Sequence, residues 1–225
     1  MSTESSATNK LLLNEFETRV LGSLIEKEIT TPEYYPLSLN ALTNACNQIN
    51  NRDPVVVYGE QQALKAVESL RDKRLATAIS GGDSRVVKYG HKAADALELP
   101  RPEIAVLCVL LLRGPQTVGE LRTRTGRMHE FASLSEVQAT LQSLATRPVP
   151  LITVLPRQAG TKEPRYAHLL AGEVIITPST TEPPFAPPAS ASPDRIAQLE
   201  TELATLRNEL ADLRQQFTAF RKQLE

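Results

Sequence analysis

The stretch ETRVLGSLIEK, residues 17–27, recurs later in the chain as EIAVLCVLLLR, residues 103–113. The two stretches share an opening glutamate, a Val-Leu pair, two further apolar positions and a closing basic residue. Two more blocks recur in the same order: residues 38–47 match 117–126, and residues 67–79 match 141–155 with two residues inserted. Because recurring blocks in a fixed order indicate a duplicated structural unit, we predict two copies of one fold.

Each copy has the pattern of three helices followed by a β-hairpin. In the first, Asn14 with Glu17 three positions later resembles a capping box, and apolar residues follow at helical spacing. A second helix is predicted to begin at Ser38 and a third to span about residues 59–73. LATAI and SRVVKY then predict two strands, joined by SGGD, whose glycine pair can adopt the positive φ of a tight turn.

The second copy repeats this scheme with stronger helix-start signals. Its first helix ends at Gly114, and Thr117 with Glu120 forms a capping box for the next helix. Ser133 with Glu136 is expected to start the third helix, and LITVL and RYAHLL are predicted to be the hairpin strands.

Three helices and a hairpin are the order of a winged helix, in which the third helix is the one that can read DNA. The predicted fold class is therefore α+β, mainly α, with two tandem winged-helix domains, a Pro-rich linker and a C-terminal coiled-coil helix. The predicted boundaries are a disordered N-terminal tail over 1–10, winged helices over 11–98 and 99–172, the linker over 173–192 and the coiled coil over 193–225.

Composition and charge narrow the class of protein. The 225 residues are 41% hydrophobic with a net charge of -1, so no overall charge attracts nucleic acid. Residues 101–170, however, carry nine basic and five acidic side chains. Two distant cysteines, Cys46 and Cys108, suggest buried thiols rather than a disulfide, and the longest apolar run, residues 104–112, is far shorter than the ~20 residues of a membrane span. We expect a cytoplasmic protein without membrane contact.

The C-terminal segment has an unbroken heptad register. Three of its four g-to-e pairs have opposite charges, a pattern typical of a parallel coiled coil of identical chains. A single amphipathic helix docked on its own domain is the alternative, and Leu at both core positions leaves dimer against trimer open. The predicted dimerisation residues are Ile196, Leu199, Leu203, Leu206, Leu210, Leu213, Phe217, Phe220 and Leu224.

The basic side chains of the second copy make it the better candidate for DNA. Its third helix has a neutral outward face, and cations flank that helix in the preceding turn and in the hairpin. The candidate DNA-binding residues are Arg122, Arg124, Arg127, Gln138, Gln142, Arg157, Lys162 and Arg165. In the first copy, carboxylates on the third helix make a poor surface for phosphates.

The amide-rich stretch NACNQINNRDP, residues 44–54, has two interpretations. Asn47 aligns with Gly126, and asparagine tolerates the left-handed backbone that ends a helix, which favours a structural turn with Arg52 paired to Asp53. The surplus of amides also suits a groove for a partner protein. The candidate partner-binding residues are Asn44, Asn47, Gln48, Asn50, Asn51 and Arg52.

No pattern in the sequence indicates catalysis. The histidines His91, His129 and His168 are scattered, and QAGTKEP lacks the first glycine and the strand-to-helix context of a phosphate-binding loop. We therefore expect a protein that is not an enzyme, with no catalytic residue, metal or cofactor.

Two long motifs, LTNACNQINNRDPVV and LPRQAGTKEPRYAHLL, resemble the YceH family of uncharacterised bacterial proteins over about residues 11–170. The resemblance implies a tandem winged-helix fold and supplies no ligand or reaction. Together, these observations favour a homodimeric DNA-binding regulator, with itself and double-stranded DNA as partners. The alternative is a winged-helix module that binds a partner protein without DNA contact.

Overall fold

The computed structural model describes residues 12–81, 84–156 and 163–172 as a mixed α+β fold that is mainly helical. The chain divides into two compact units, residues 1–174 and 175–225, and every described residue belongs to the first unit. The predicted tail, the 173–192 linker and the heptad residues lie outside the described residues.

The described residues of the first repeat (11–98), namely 12–81 and 84–98, form four α-helices and three strands. Helix α1 (Glu15–Thr30) is followed by a 3-10 turn (Pro32–Tyr34), strand β1 (Leu37–Ser38) and helix α2 (Leu39–Cys46). After a long loop come helix α3 (Glu60–Asp72), strands β2 (Ala76–Gly81) and β3 (Ser84–His91), and the short helix α4 (Ala93–Ala96).

The second repeat, residues 99–172, has the same order in a smaller form. Helices α5 (Arg101–Arg113), α6 (Val118–Thr125) and α7 (Leu134–Ala145) precede strands β4 (Ile152–Val154) and β5 (Tyr166–His168). The succession of three helices and a hairpin therefore occurs twice, as the repeated sequence blocks predicted.

The predicted helix starts are confirmed, with one difference of detail. Asn14 with Glu17, and Thr117 with Glu120, form reciprocal capping boxes. Ser133 accepts the backbone N–H of Glu136, but the Glu136 carboxylate accepts the N–H of Ala132 rather than that of Ser133. Ser133 therefore caps α7 in the usual way, but the returning bond to the Glu136 carboxylate comes from the residue before the cap.

The sheets are small and antiparallel. β3 is the centre of a three-stranded sheet with β1 and β2 at its edges, and Leu37 and Ser38 of β1 pair with Tyr89 and Lys88. In the part of the chain that the structure describes, β4 pairs with β5, and Gln116 forms a further bridge to Tyr166. The sequence did not predict β1, because a two-residue strand has no periodicity to recognise. Residues 82 and 83 of the predicted hairpin turn lie outside the described residues.

Helices α1 and α5 pack directly against each other and join the two repeats in one apolar core. A Cβ added to Gly22 would lie 2.8 Å from Cγ and Cδ2 of Leu112, so this position requires the absence of a side chain. The Cys108 thiol donates to the Gly22 carbonyl at 3.3 Å. Because Gly22 aligns with Cys108 in the repeat, equivalent positions of the two copies meet at the contact.

The amide-rich loop is built differently from the prediction. Asn47 (φ -89°) and Gly126 (φ -50°) do not adopt the left-handed conformation; Asn51 (φ 61°) does. The prediction placed the left-handed residue at the helix end, whereas the residue that follows α2 is not left-handed and Asn51, four residues later, is. The predicted ion pair between Arg52 and Asp53 was also wrong, since the partner of Arg52 is Glu26.

Candidate functional site

Helix α7 presents a neutral polar face to solvent. Val137, Leu141 and Leu144 are fully buried on its inner side and fix its orientation. Its exposed side chains include Ser135, Gln138, Ala139 and Gln142. The two predicted glutamines therefore lie one helical turn apart on one accessible face, where their amides can both donate and accept hydrogen bonds.

Arg122 lies at the N-terminal end of this helix. From α6, its guanidinium donates to the backbone carbonyls of Phe131 at 3.4 Å and Ala132 at 3.0 Å, immediately before the cap residue Ser133. A guanidinium has five N–H donors, so these two bonds hold the group in place and leave others to face a ligand. The Glu136 carboxylate nearby is turned back to the Ala132 N–H at 2.8 Å.

Arg124 and Arg165 converge on one carboxylate. Arg124 donates to the Gln116 amide oxygen and lies 3.4 Å from Glu120, while Arg165 lies 2.9 Å from Glu120 and also donates to the Pro115 carbonyl. Burial raises the pKa of Glu120, but the Thr117 N–H and the two guanidiniums outweigh it, so the pKa is lowered. Glu120 is therefore ionised at neutral pH and holds the hairpin to α6.

Arg127 is exposed and makes no hydrogen bond or ion pair to any residue that the structure describes. It lies in the turn after α6, beside a cavity of about 310 Å³ between the two repeats. The cavity walls are Glu26, Thr30, Asn51, Val109, Leu112, Arg113, Thr123, Arg124, Arg127 and Met128. Two of the predicted DNA-binding arginines thus belong to a concave site that the sequence did not indicate.

Arg52 is the centre of the amide-rich loop. Its fully buried guanidinium binds both oxygens of the Glu26 carboxylate, at 2.7 and 3.2 Å, and donates to the carbonyl of Ala45. It also donates to the carbonyl of Asn51 and to the side chain of Gln48. These contacts tie the loop to α1 and α2.

The asparagines of this loop divide into two groups. Asn47 makes two bonds to the backbone of Tyr58, and the Asn51 side-chain oxygen accepts from Arg113 at 3.0 Å. Asn44 and Asn50 are exposed, and Asn44 donates to Asn40 within the same helix. Among the candidate partner-binding residues, the structure therefore leaves Asn44, Asn50 and Asn51 at the surface, although Asn51 also bonds Arg113. The fold itself uses Asn47, Gln48 and Arg52.

Three apolar side chains in and next to this loop are exposed to solvent. Ile49 and Val57 are 78% and 90% exposed, and Val55 is also exposed, whereas a position beneath the loop would have buried them. Val55 and Val57 therefore do not pack beneath the loop, whose interior is occupied by the Arg52 side chain.

A family model described as "Protein of unknown function, DUF480" matches residues 13–161 of this chain. The chain belongs to the DUF480 family. The matched range includes most of the described residues. This membership agrees with the resemblance of the sequence to uncharacterised bacterial proteins of the YceH family.

Relatives of this DUF480 chain align over nearly its whole length. A "UPF0502 protein" of Opitutus terrae is 58% identical over 86% of this chain and 82% of its own. One from Geotalea uraniireducens is 54% identical over 95% and 98%, and one from Koribacter versatilis is 51% identical over 86% and 89%. None of these names states a ligand or reaction.

Some of the predicted site residues of this DUF480 chain fall outside the described ranges. Arg157, Lys162 and the nine heptad residues lie outside the described residues. Within residues 12–81, 84–156 and 163–172, three or more His, Cys, Asp or Glu side chains nowhere converge as metal ligands would. In the same ranges, every helix is too short or too polar to cross a bilayer.

Sequence reasoning missed the buried ion pairs within each repeat. Glu17 contacts Ser69 and Lys73, and Glu103 contacts Ser143 and Arg147. The signal was present, since the aligned blocks place these residues in register. The alignment did not predict the ion pairs, because it shows which positions correspond in the two repeats but not which residues are in contact.

Proposed function

We propose that this DUF480 protein is a DNA-binding regulator that contacts double-stranded DNA through its second repeat. The repeated order of three helices and a hairpin supports a tandem winged-helix fold. The heptad register after residue 193 supports a parallel homodimer, which would place two such surfaces on one duplex.

One observation carries the proposal: Arg122 is fixed at the N-terminal end of α7, beside the exposed glutamine face of that helix. In helix-turn-helix proteins, the N-terminal part of the reading helix meets base edges while neighbouring cations contact phosphates. Gln138 and Gln142 would serve as readers, since a glutamine amide can form two hydrogen bonds with adenine.

The local charges favour phosphate at this surface. Two carboxylates at this surface, Glu120 and Glu136, are already bound by Arg165 and by the Ala132 N–H. Arg122 and Arg127 therefore keep positive charge available for phosphates. On α3 of the first repeat, by contrast, Glu60, Glu68 and Asp72 are exposed, and their charge would repel a duplex.

The direct experiment is fluorescence anisotropy with a labelled duplex of random sequence at several salt concentrations. We expect log K to fall linearly with log salt, and Arg127→Gln to reduce that slope by about one. Arg71→Gln, at an exposed arginine of α3, is the matched control and should leave the slope unchanged. Absence of binding at low salt, or equal effects of the two substitutions, would refute the proposal.

Sequence reading is tested separately from affinity. A selected duplex pool should show a sequence preference that the double variant Gln138→Ala/Gln142→Ala loses, while its binding to random DNA changes little. A loss of about 1–3 kcal/mol per glutamine contact is expected for the selected site. An unchanged preference would assign the reading to another surface.

The dimer is tested by light scattering on the full chain and on a chain ending at Ala191. The full chain should have twice the mass of one chain, and the shortened chain should be a monomer. Equal association states would contradict dimerisation through the heptad segment.

Binding of a partner protein by the first repeat is the second candidate function. It is favoured by Ile49 and Val57, which are highly exposed beside Asn50 on one loop. An apolar pair rimmed by amides is a common composition for a small interaction surface. If this holds, the double variant Ile49→Asp/Val57→Asp should lose a partner that the control Val149→Asp, in the second repeat, retains.

A further inference from the structure

We propose that the cavity between the two repeats binds a small organic phosphate, with the phosphoryl group on Arg113, Arg124 and Arg127. This site shares Arg127 with the proposed DNA surface, but residues of both repeats form it. The first repeat supplies Glu26, Thr30 and Asn51, and the second supplies the three arginines and the apolar wall. Its volume of about 310 Å³ is at the lower end for small-molecule sites.

Among the described residues that line this cavity, three carry guanidiniums and one, Glu26, carries a carboxylate. Glu26 is already neutralised, because Arg52 binds both of its oxygens. Glu120, which lies next to Arg124, is bound by Arg165 as well. The lining therefore keeps excess positive charge, which a doubly charged phosphoryl group would balance.

The arginines also repel one another. Burial lowers the pKa of Arg113, and the nearby charge of Arg124 lowers it further, while Asp53 and Glu120 act in the opposite direction. Like charges held together in a concave site are unfavourable without a counter-ion, so a bound anion would relieve the cost.

Hydrogen-bond donors are available at the site. The Asn51 oxygen accepts from Arg113 at 3.0 Å, which leaves its amide group free to donate. Arg127 has no partner among the described residues, and Arg113 donates only one bond that the structure records. Guanidiniums bind phosphates through paired N–H donors, so these groups suit a phosphoryl ligand.

The remaining wall is apolar. Val109, Leu112 and Met128 line the cavity opposite the polar groups. A free phosphate ion would leave this wall in contact with water, whereas a phosphate ester with a small apolar group would cover it. The expected ligand class is therefore a phosphomonoester rather than inorganic phosphate alone.

The test is calorimetric titration of the full chain with phenyl phosphate, without DNA and at constant ionic strength. Inorganic phosphate should bind more weakly, and phenol should show no binding. Arg127→Gln should weaken phenyl phosphate about tenfold or more, the loss expected for a hydrogen bond between charged groups. Arg113→Gln should act similarly, and Arg71→Gln should have no effect.

The alternative is that the arginines only neutralise the carbonyl ends of α1, α5 and α6. Absence of heat with phenyl phosphate, or equal weakening in Arg127→Gln and Arg71→Gln, would establish that alternative and overturn the proposal. Arg127→Gln removes no hydrogen bond or ion pair among the described residues, so we expect the variant to fold as the wild type does.

The outcome is separable from that of DNA binding. Gln138→Ala/Gln142→Ala should leave phenyl phosphate binding unchanged, since neither glutamine lines the cavity. A protein that binds phenyl phosphate but no duplex would retain the cavity site and lose only the DNA proposal.

Discussion

Glu17 and Glu103 occupy equivalent positions in the two repeats, and each is buried against a serine of the third helix of its own repeat and a basic side chain just after that helix ends. Lys73 lies 2.6 Å from Glu17, and Arg147 lies 3.0 Å from Glu103. Each basic side chain also donates to a backbone carbonyl that precedes the first helix: Lys73 to Leu12 before α1, and Arg147 to Leu97 before α5. The duplication has therefore preserved a complete polar connection between three segments.

Loss of the Glu17 carboxylate charge should destabilise the fold. Glu17→Gln is expected to lower the free energy of unfolding by about 3 kcal/mol, because it leaves the Lys73 charge without its partner. Chemical denaturation of the full chain measures this change. Glu15→Gln, at an exposed position of the same helical turn, is the control and should change it little.

The same residue predicts an acid dependence. Burial raises the pKa of Glu17, but the bonds from Lys73, Ser69 and the Asn14 N–H outweigh it, so its folded pKa is below 4.5. The carboxylate therefore stabilises the fold above pH 4.5, and this contribution is lost as the pH falls through the lowered value. Wild type and Glu17→Gln should converge in stability under acid conditions; a constant difference would contradict this role.

Replacement by alanine should have opposite effects at two helical glycines, one in the contact between α1 and α5 and one outside it. Gly22→Ala should cost about 1–3 kcal/mol, since its Cβ would overlap the buried Leu112 side chain. Gly119→Ala, in α6, meets no atom within 4 Å and should instead stabilise by about 0.5–1 kcal/mol through helix propensity. Thermal unfolding of both variants gives the signs, and stabilisation by Gly22→Ala would refute the close approach.

Arg52 should not be replaceable by lysine. Lysine keeps the charge, but its single ammonium cannot bind both oxygens of Glu26 and the Ala45 carbonyl in the planar geometry of arginine. Arg52→Lys is expected to lower unfolding free energy by roughly 2–3 kcal/mol. Arg71→Lys, at the surface, is the control; equal stability of both variants in denaturant would show that the paired geometry contributes nothing.

His168 should make the fold sensitive to mild acid. Burial lowers its pKa from 6.5 to about 4, and its Nδ1 has no partner in the described part of the chain. As the pH falls, His168 is therefore protonated in the unfolded chain before it is protonated in the folded one. The free energy of unfolding decreases as the pH drops from 6.5 towards 4, by up to about 3 kcal/mol. His168→Gln should flatten this range of the stability curve, and an unchanged slope would exclude His168 as its source.

Local signals predicted most of the helices. The Asn14–Glu17 and Thr117–Glu120 boxes act within four residues, and Gly114 ends α5 with φ 66° as glycine permits. The short strand β1 and the Arg52–Glu26 pair were not predictable in this way. Both depend on groups far apart in sequence, and local spacing contains no information about which distant segments meet.

The candidate site was predicted only in part. The basic turn after α6 and the glutamines of α7 could be located because exposed polar residues at helical spacing indicate an outward face. The cavity could not, since Asn51, Arg113 and Arg127 come from separate segments that only the packing of α1 on α5 brings together. The left-handed residue was likewise misplaced, because several asparagines in one loop tolerate that conformation equally.

The meeting of Gly22 with Cys108 has a consequence for the history of the chain. Each repeat uses the other to cover the apolar surface of its first helix, so neither half would remain water-compatible if the other were deleted. Proteolysis between residues 96 and 101 should then leave both fragments associated. We therefore expect the duplicated halves to depend on each other for folding, and the unit that contains both repeats to melt in a single cooperative transition.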